Sequence, residues 1–233
     1  EELIVEAKNL LVVLNEKKDE FKDVVKLGRT CLQDAVPLTL GQEFGGYVHF
    51  LTRQIKKLEN IKTKLAELPL GGTAVGTELS TFTGYIESVY SYLPKLSGIP
   101  VTKDEDFFDG LQNGDIYIEA SSAIKGLATG LSKIATDLRI LSSGPRAGLN
   151  EITLPAVQPG SSIMPGKVNP VMPELMNQLC YKICGNDVAI TMAVEGGELD
   201  LNVWEPVIID CLFESFKLLI KSIPLFTQKC IKG

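Results

Sequence analysis

Four polar side chains in one short stretch carry the most chemistry in this sequence: Ser161, Ser162, Lys167 and Asn169, set in QPGSSIMPGKVNP at 158–170. A serine hydroxyl is a candidate nucleophile or base, a lysine ammonium is a cation for an anionic substrate, and an asparagine amide can donate and accept. They are framed by Pro159, Pro165 and Pro170 with Gly160 and Gly166. Such a frame follows neither helical nor strand periodicity; it fixes the chain at some points and lets it swing at others. Pro170 and Pro173 suit the first turn of a helix. Lys167 and Asn169 thus stand beside a helix N-terminus, whose free N–H groups favour an anion. Residue types and order together describe an anion-binding loop. The competing account is a solvated connector, in which the serines only shape the turn and Asn169 caps the helix.

The elements that must hold this loop are helical. Apolar residues Tyr117, Ala120, Ile124, Leu127, Leu131, Ile134, Leu138 and Leu141 alternate three and four apart, a heptad seam. Ile209, Leu212, Phe216, Leu219, Ile223 and Phe226 form a second seam, with Val207, Ile208, Leu218 and Ile220 leaving little polar face. A helix apolar on nearly all sides is a buried one. Residues 1–27, 42–66, 79–96 and 171–195 also carry helical period, and turn-rich stretches separate them. No strand alternation with a hairpin signal stands out, although Ile152–Val157 is a short extended candidate. The expected fold class is all-α, a long antiparallel helical bundle. The sequence starts inside one apolar helical pattern and stops just after another. The expectation is therefore a fragment of a larger protein, whose helices pack against other copies of the chain.

Composition narrows the function classes. The 233 residues are 45% hydrophobic and carry a formal net charge of -6, so no basic surface for nucleic acid is expected. Apolar runs fall well short of the ~20 residues that span a bilayer, so no membrane partner is expected. The opening Glu1–Glu2 does not resemble a signal peptide. Five scattered cysteines, an odd number, indicate reduced thiols and a cytoplasmic protein. A single histidine, His49, and no second cysteine pair beside Cys180 and Cys184 argue against a metal site. His49, within a helical stretch, is assigned to structure. No phosphate-cradling glycine motif occurs, so no organic cofactor is implied.

GSSIMPGKVNP is similar to the signature of the aspartase/fumarase superfamily, and two further segments agree with it. GRTCLQDAVPLTLGQEF at 28–44 resembles the family's second conserved region, and LSSGPRAGLNEITLPAVQ at 141–158 resembles the stretch leading into the signature loop. The similarity runs over the whole chain, residues 1–233, and corresponds to the family's central helical domain. It implies a homotetramer with active sites shared between subunits, and a catalytic loop at 158–170.

The resemblance also implies a reaction: anti-elimination across the Cα–Cβ bond of a succinyl-type substrate, releasing fumarate. The hard step removes a Cβ proton next to a carboxylate and leaves two negative charges on one carboxylate, an aci-carboxylate, so catalysis is chiefly electrostatic. By that resemblance Ser161 is the base. Lys167 and Asn169 hold the carboxylate where charge accumulates, and Glu174, one turn into the following helix, lies near the site. Thr30, Cys31, Ser162 and Met164 are the substrate-binding candidates. Four of the candidates have a structural competitor here: a turn residue for Thr30, a loop-shaping hydroxyl for Ser162, apolar filling for Met164, and a favourable first-turn carboxylate for Glu174. A serine becomes a base only where water is excluded and N–H groups or an ammonium stabilise its alkoxide.

Three positions depart from the family pattern. Cys31 stands where relatives have histidine or glutamine, and a thiol is a poorer hydrogen-bond donor. Glu78 and Ser80, in TAVGTELS at 73–80, replace the more usual glycine and asparagine. Glu205–Pro206, closing GGELDLNVWEPVI at 196–208, resembles the family's ammonia-lyases, whereas its fumarases usually end in Lys-Pro. The expected substrate pair is thus L-aspartate and fumarate, with ammonia leaving. Hydration of fumarate is the alternative, and a non-catalytic helical assembly domain is a third.

Overall fold

The computed structural model describes residues 1–232. They divide into two compact units. The first comprises Glu1–Lys56, Lys125–Ile183 and the chain from Phe216 onward; the second comprises Lys57–Ile124 and Cys184–Ser215. The described residues hold seven α-helices: α1 Glu2–Glu20, α2 Leu40–Lys64, α3 Tyr85–Ser97, α4 Phe107–Gln112, α5 Asp115–Leu141, α6 Val171–Glu195 and α7 Glu205–Phe226. A π-helical turn at Thr227–Ile231 extends the last. Strands are few: β1 Val25–Thr30 pairs antiparallel with β2 Gln33–Thr39, and β3 Glu67–Leu68 pairs parallel with β4 Thr102–Lys103. The helical class follows the sequence. Among the described residues no helix is long and apolar enough to cross a membrane.

In the first unit the seam of α5 does what its spacing requires. Leu127, Leu131, Ile134 and Leu138 are all 2% exposed or less, and so are Leu10 and Leu14 of α1, Leu51 of α2, Ile183 of α6 and Phe226 of α7. Burying one such side chain is worth about 1.5–3 kcal/mol. Gly130 makes one approach possible, since a Cβ there would lie 1.7 Å from Phe50 Cζ. One polar group sits inside this packing. Asn177 of α6, 3% exposed, donates to the Ser132 carbonyl at 2.9 Å, to Ser132 Oγ at 2.8 Å and to Thr136 Oγ1 at 3.1 Å. Its carbonyl accepts from Arg139 Nη1 at 2.9 Å. A buried amide so paired repays its desolvation and locks α6 to α5 in one register.

The second unit is held by similar polar anchors. Asn186 Nδ2 donates to Glu214 Oε2 at 2.8 Å and to Ser215 Oγ at 3.0 Å, and Ser121 Oγ donates to Asp187 at 2.7 Å. Asn202 Nδ2 donates to the carbonyls of Ala193 and Val194 in the last turn of α6, while its own carbonyl accepts from Trp204 N–H. One side chain therefore closes α6 and sets the start of α7. Asp106 caps α4 by accepting from the N–H groups of Phe108 and Asp109.

Several boundaries differ from the sequence expectation. The helix expected over 1–27 ends at Glu20, and Val25–Thr30 is a strand. The hairpin it opens was not expected. Its turn residues, Cys31 at φ 53° and Leu32 at φ 62°, are not the asparagine–glycine pair that announces such a turn. The helix expected from 79 starts at Tyr85, after Gly84 in the left-handed region. Ile152–Val157 belongs to no strand. In α7 it is Ile208 that is fully buried, while Ile209, expected in the seam, is 42% exposed.

Candidate active site

All eight candidate residues fall in the first unit, on three structures: the hairpin, the loop at 158–170 and the first turn of α6. The loop closes on itself. Gly160 N–H donates to the Lys167 carbonyl at 2.8 Å, and Asn169 Nδ2 donates to the Gly160 carbonyl at 3.0 Å. Asn169 therefore spends its amide on the loop's neck. Its backbone carbonyl accepts from Val171 N–H at 2.9 Å, and Pro170 leads directly into α6. Gly160 is required there, because a Cβ would meet the Lys167 carbonyl at 2.8 Å and Asn169 N at 2.9 Å. At the far side Gly166 takes φ 76°, a left-handed value that glycine adopts without strain.

Inside this closed loop Ser161 has a particular environment. Its Oγ accepts from Met164 N–H at 3.1 Å and from Ile163 N–H at 3.2 Å. Two amide donors aimed at one hydroxyl oxygen stabilise negative charge there more than they stabilise a neutral hydroxyl. Ser162, Met164 and Lys167 are exposed, Met164 at 48%. Among the described residues no carboxylate pairs with the Lys167 ammonium, which leaves it able to meet an anion. Glu174 is half-buried in the first turn of α6. No hydrogen bond joins the side chain of Lys167 or Glu174 to Ser161 within the described residues.

Thr30 and Cys31 are exposed at the hairpin end, Thr30 pairing with Gln33 across the turn. Neither shares a hydrogen bond with the loop among the described residues. A single chain presents these groups on separate structures. Among the described residues no group of histidine, cysteine or acidic side chains is arranged to hold a metal ion.

Strand β1 carries a charge network that sequence reasoning missed. Lys26 Nζ lies 2.5 Å from Glu43 Oε2 and 3.0 Å from Glu151 Oε2, and Glu151 also pairs with Arg29. Burial alone would raise the Glu151 carboxyl, but the hydrogen bonds and charges of Arg29 and Lys26 outweigh it and hold it below the ordinary carboxylate value. Tyr47 OH donates to Asp137 at 2.7 Å, and burial together with Asp137 and Glu43 pushes its phenol far upward, so it stays a donor. A cleft of about 340 Å³ opens beside this network, lined by Lys26, Arg29, Leu32, Glu43, Lys133 and Asp137 among others. None of the eight candidates lines it. The only signal in the sequence was the placement of Glu151 in the stretch leading into the loop. Asn177 was missed too; a lone amide on an apolar helix face was its signal.

The sequence model of a family described as "Lyase" matches residues 1–185. Aspartate ammonia-lyase from Bacillus sp is 49% identical over 232 residues, covering 100% of this chain and 50% of that protein. Aspartate ammonia-lyase from Bacillus subtilis (strain 168) is 47% identical over 233 residues, covering 100% of this chain and 49% of that protein. Among solved structures, the class II fumarase from Schistosoma mansoni superposes with a TM-score of 0.97 at 36% identity, over 99% of this chain and 51% of that one. The chain spans about half the length of the curated relatives it matches.

Proposed function

Because this chain belongs to the lyase family of the aspartase/fumarase superfamily, we propose that it is the central helical domain of an aspartate ammonia-lyase, releasing ammonia from L-aspartate to give fumarate. The observation that carries the mechanism is the pair of N–H groups on Ser161 Oγ, at 3.1 and 3.2 Å. A serine is a weak base in water, and an alkoxide needs donors in place before the proton moves. Met164 and Ile163 N–H supply them, and Lys167 brings a positive charge from the same loop.

In this reading Ser161 takes the Cβ proton, and the electron pair left on carbon delocalises into the neighbouring carboxylate. Lys167 holds that carboxylate as its second charge develops. Asn169 contributes by keeping the loop neck closed, with Glu174 at the foot of the site. Collapse of the aci-carboxylate then expels the amino group from Cα as ammonia. Thr30, Cys31, Ser162 and Met164 bind substrate. Because the hairpin and the loop are separate structures in one chain, we assign complete sites to a homotetramer, with different subunits supplying them. Exposed apolar side chains on one face of α6, Tyr181 at 68%, Val188 at 61% and Met192 at 63%, support association, as do Ile209 and Phe213 of α7 at 42% and 59%. A cytoplasmic location belongs to the same proposal and rests on the five scattered cysteines.

Fumarate hydration is the second reading, and the fold likeness to a class II fumarase favours it. The identities of 49% and 47% to aspartate ammonia-lyases, and Glu205–Pro206 at the start of α7, weigh for ammonia. Parallel assays of the full-length protein with fumarate plus ammonia and with fumarate plus water decide between them. Ammonia addition is expected to dominate, and hydration alone would replace this reading. The 233 residues by themselves are expected to associate yet release no ammonia. Measurable turnover by them, or a clean monomer in light scattering, would contradict that.

A further inference from the structure

We infer that Glu151 is a positioning residue for the proposed elimination, clamping the hairpin that ends in Thr30 to the segment that leads into the Ser161 loop. The inference rests on the reading of the chemistry given above. Arg29 and Glu151 are 122 positions apart in sequence and form an ion pair. Lys26 joins the same carboxylate at 3.0 Å and ties it onward to Glu43 of α2 at 2.5 Å. The side chains of Lys26, Glu151 and Arg29 keep only 11%, 19% and 20% of their exposure. Charges so far removed from water are screened little, and removing one strands the others.

The carboxylate is held as a fixed point, because its backbone is anchored separately. Glu151 N–H donates to the Leu141 carbonyl at the end of α5 at 2.9 Å, and Ile152 N–H reaches the same oxygen at 3.4 Å. On the strand side, Lys26 and Arg29 flank a slip in the β1–β2 register between Leu27 and Arg29. A register slip of this kind sharpens strand twist. Three positions apart, the two cations would face opposite ways on a flat strand, yet both meet Glu151. Gly28, between them, permits the close approach: a Cβ there would lie 2.4 Å from Leu38 Cδ2 and 2.8 Å from the Val36 carbonyl. One ionic contact would let the strand pivot. Two contacts on either side of the slip fix its roll, and with it the direction in which Thr30 is presented.

The test compares Glu151→Gln, Arg29→Met, Lys26→Met/Arg29→Met and the triple variant in the full-length protein, assayed by ammonia release from L-aspartate and by fumarate hydration. Because a displacement of about 1 Å costs on the order of 100-fold in a positioned reaction, Glu151→Gln is expected to lower kcat by roughly 30-fold or more. KM should move by a smaller factor than kcat, since Lys167 and the loop groups still bind substrate while the hairpin that presents Thr30 and Cys31 shifts. Arg29→Met, which leaves Lys26 on the carboxylate, is the milder variant, with an expected loss of about tenfold in kcat. In the Lys26→Met/Arg29→Met background, Glu151→Gln should change kcat by less than about threefold, because the clamp is already gone. Retention of kcat by Glu151→Gln, or losses that simply multiply, would overturn the inference. If the unaltered protein acts on neither substrate, the chemical reading fails. Amide hydrogen exchange then decides the clamp: faster exchange of both 25–30 and 152–160 in Glu151→Gln supports it, and faster exchange of only one, or of neither, overturns it.

Discussion

Gly160 and Asn169 close the loop between them: the Asn169 amide donates to the Gly160 carbonyl at 3.0 Å, and no side chain fits at Gly160 without striking Asn169 N at 2.9 Å. The catalytic proposal depends on this neck, because it holds the turn in which Met164 and Ile163 N–H groups face Ser161. Gly160→Ala should therefore cost at least about 100-fold in kcat in the full-length protein. Folding should be kept, since the loop lies outside the helical core; circular dichroism and ammonia release check the two halves of this expectation.

Glu78 and Ser80 lie in the left-handed region, at φ 58° and 73°. Glutamate and serine tolerate this region less well than glycine and asparagine do. Relief of a left-handed residue is worth roughly 1–2 kcal/mol, and added chain freedom in the unfolded state returns about 0.4–1 kcal/mol of it for glycine. Glu78→Gly should stabilise by about 0.5–1 kcal/mol net, and Ser80→Asn should also stabilise. Urea midpoints measure both.

Gly130 and Phe50 interlock with no space for a methyl group, the added Cβ meeting Phe50 Cζ at 1.7 Å. Gly130→Ala should destabilise by about 1–3 kcal/mol despite alanine's better helix propensity, because overpacking outweighs that gain. A rise in the urea midpoint would show that Phe50 has room to swing away.

Acid should loosen the hairpin clamp. The folded Glu151 carboxyl lies below its ordinary value of 4.5, so its contribution is fully present above that pH and is lost as pH falls through the lower folded value. Unfolding measured across the acid range should show a fall in stability that Glu151→Gln flattens. An unchanged acid slope in that variant would assign the loss to other carboxylates.

Thiol labelling separates two cysteines. Cys31 is exposed at the hairpin turn, while burial pushes the Cys230 thiol up to about 12. A maleimide should modify Cys31 promptly and Cys230 only on denaturation. Fumarate should slow the labelling of Cys31 if that residue borders bound substrate in the full-length protein. Mass spectrometry of the labelled peptides reads both.

The long helices were legible because α5 and α7 repeat apolar residues three and four apart over many turns. The hairpin was not. Val25 is 73% exposed, Val36 69% and Leu32 66%, so neither strand alternates inward apolar with outward polar residues. Its turn is built from Cys31 and Leu32, whose positive φ values no local preference announces. The loop residues could be read from their order, but the Ser161 donors could not, since Met164 and Ile163 act through backbone N–H groups that every residue carries. The Glu151 clamp spans 122 positions, a distance over which spacing says nothing.

The central claim is that Ser161 removes the Cβ proton. The direct measurement is ammonia release from L-aspartate by the full-length protein carrying Ser161→Ala, with binding of a non-reacting dicarboxylate followed in parallel. Loss of a positioned base is expected to lower kcat by about 10²–10⁴-fold, with dicarboxylate affinity nearly unchanged because Lys167 remains. A Ser161→Ala enzyme that keeps its kcat within a few-fold of the unaltered protein would contradict the mechanism.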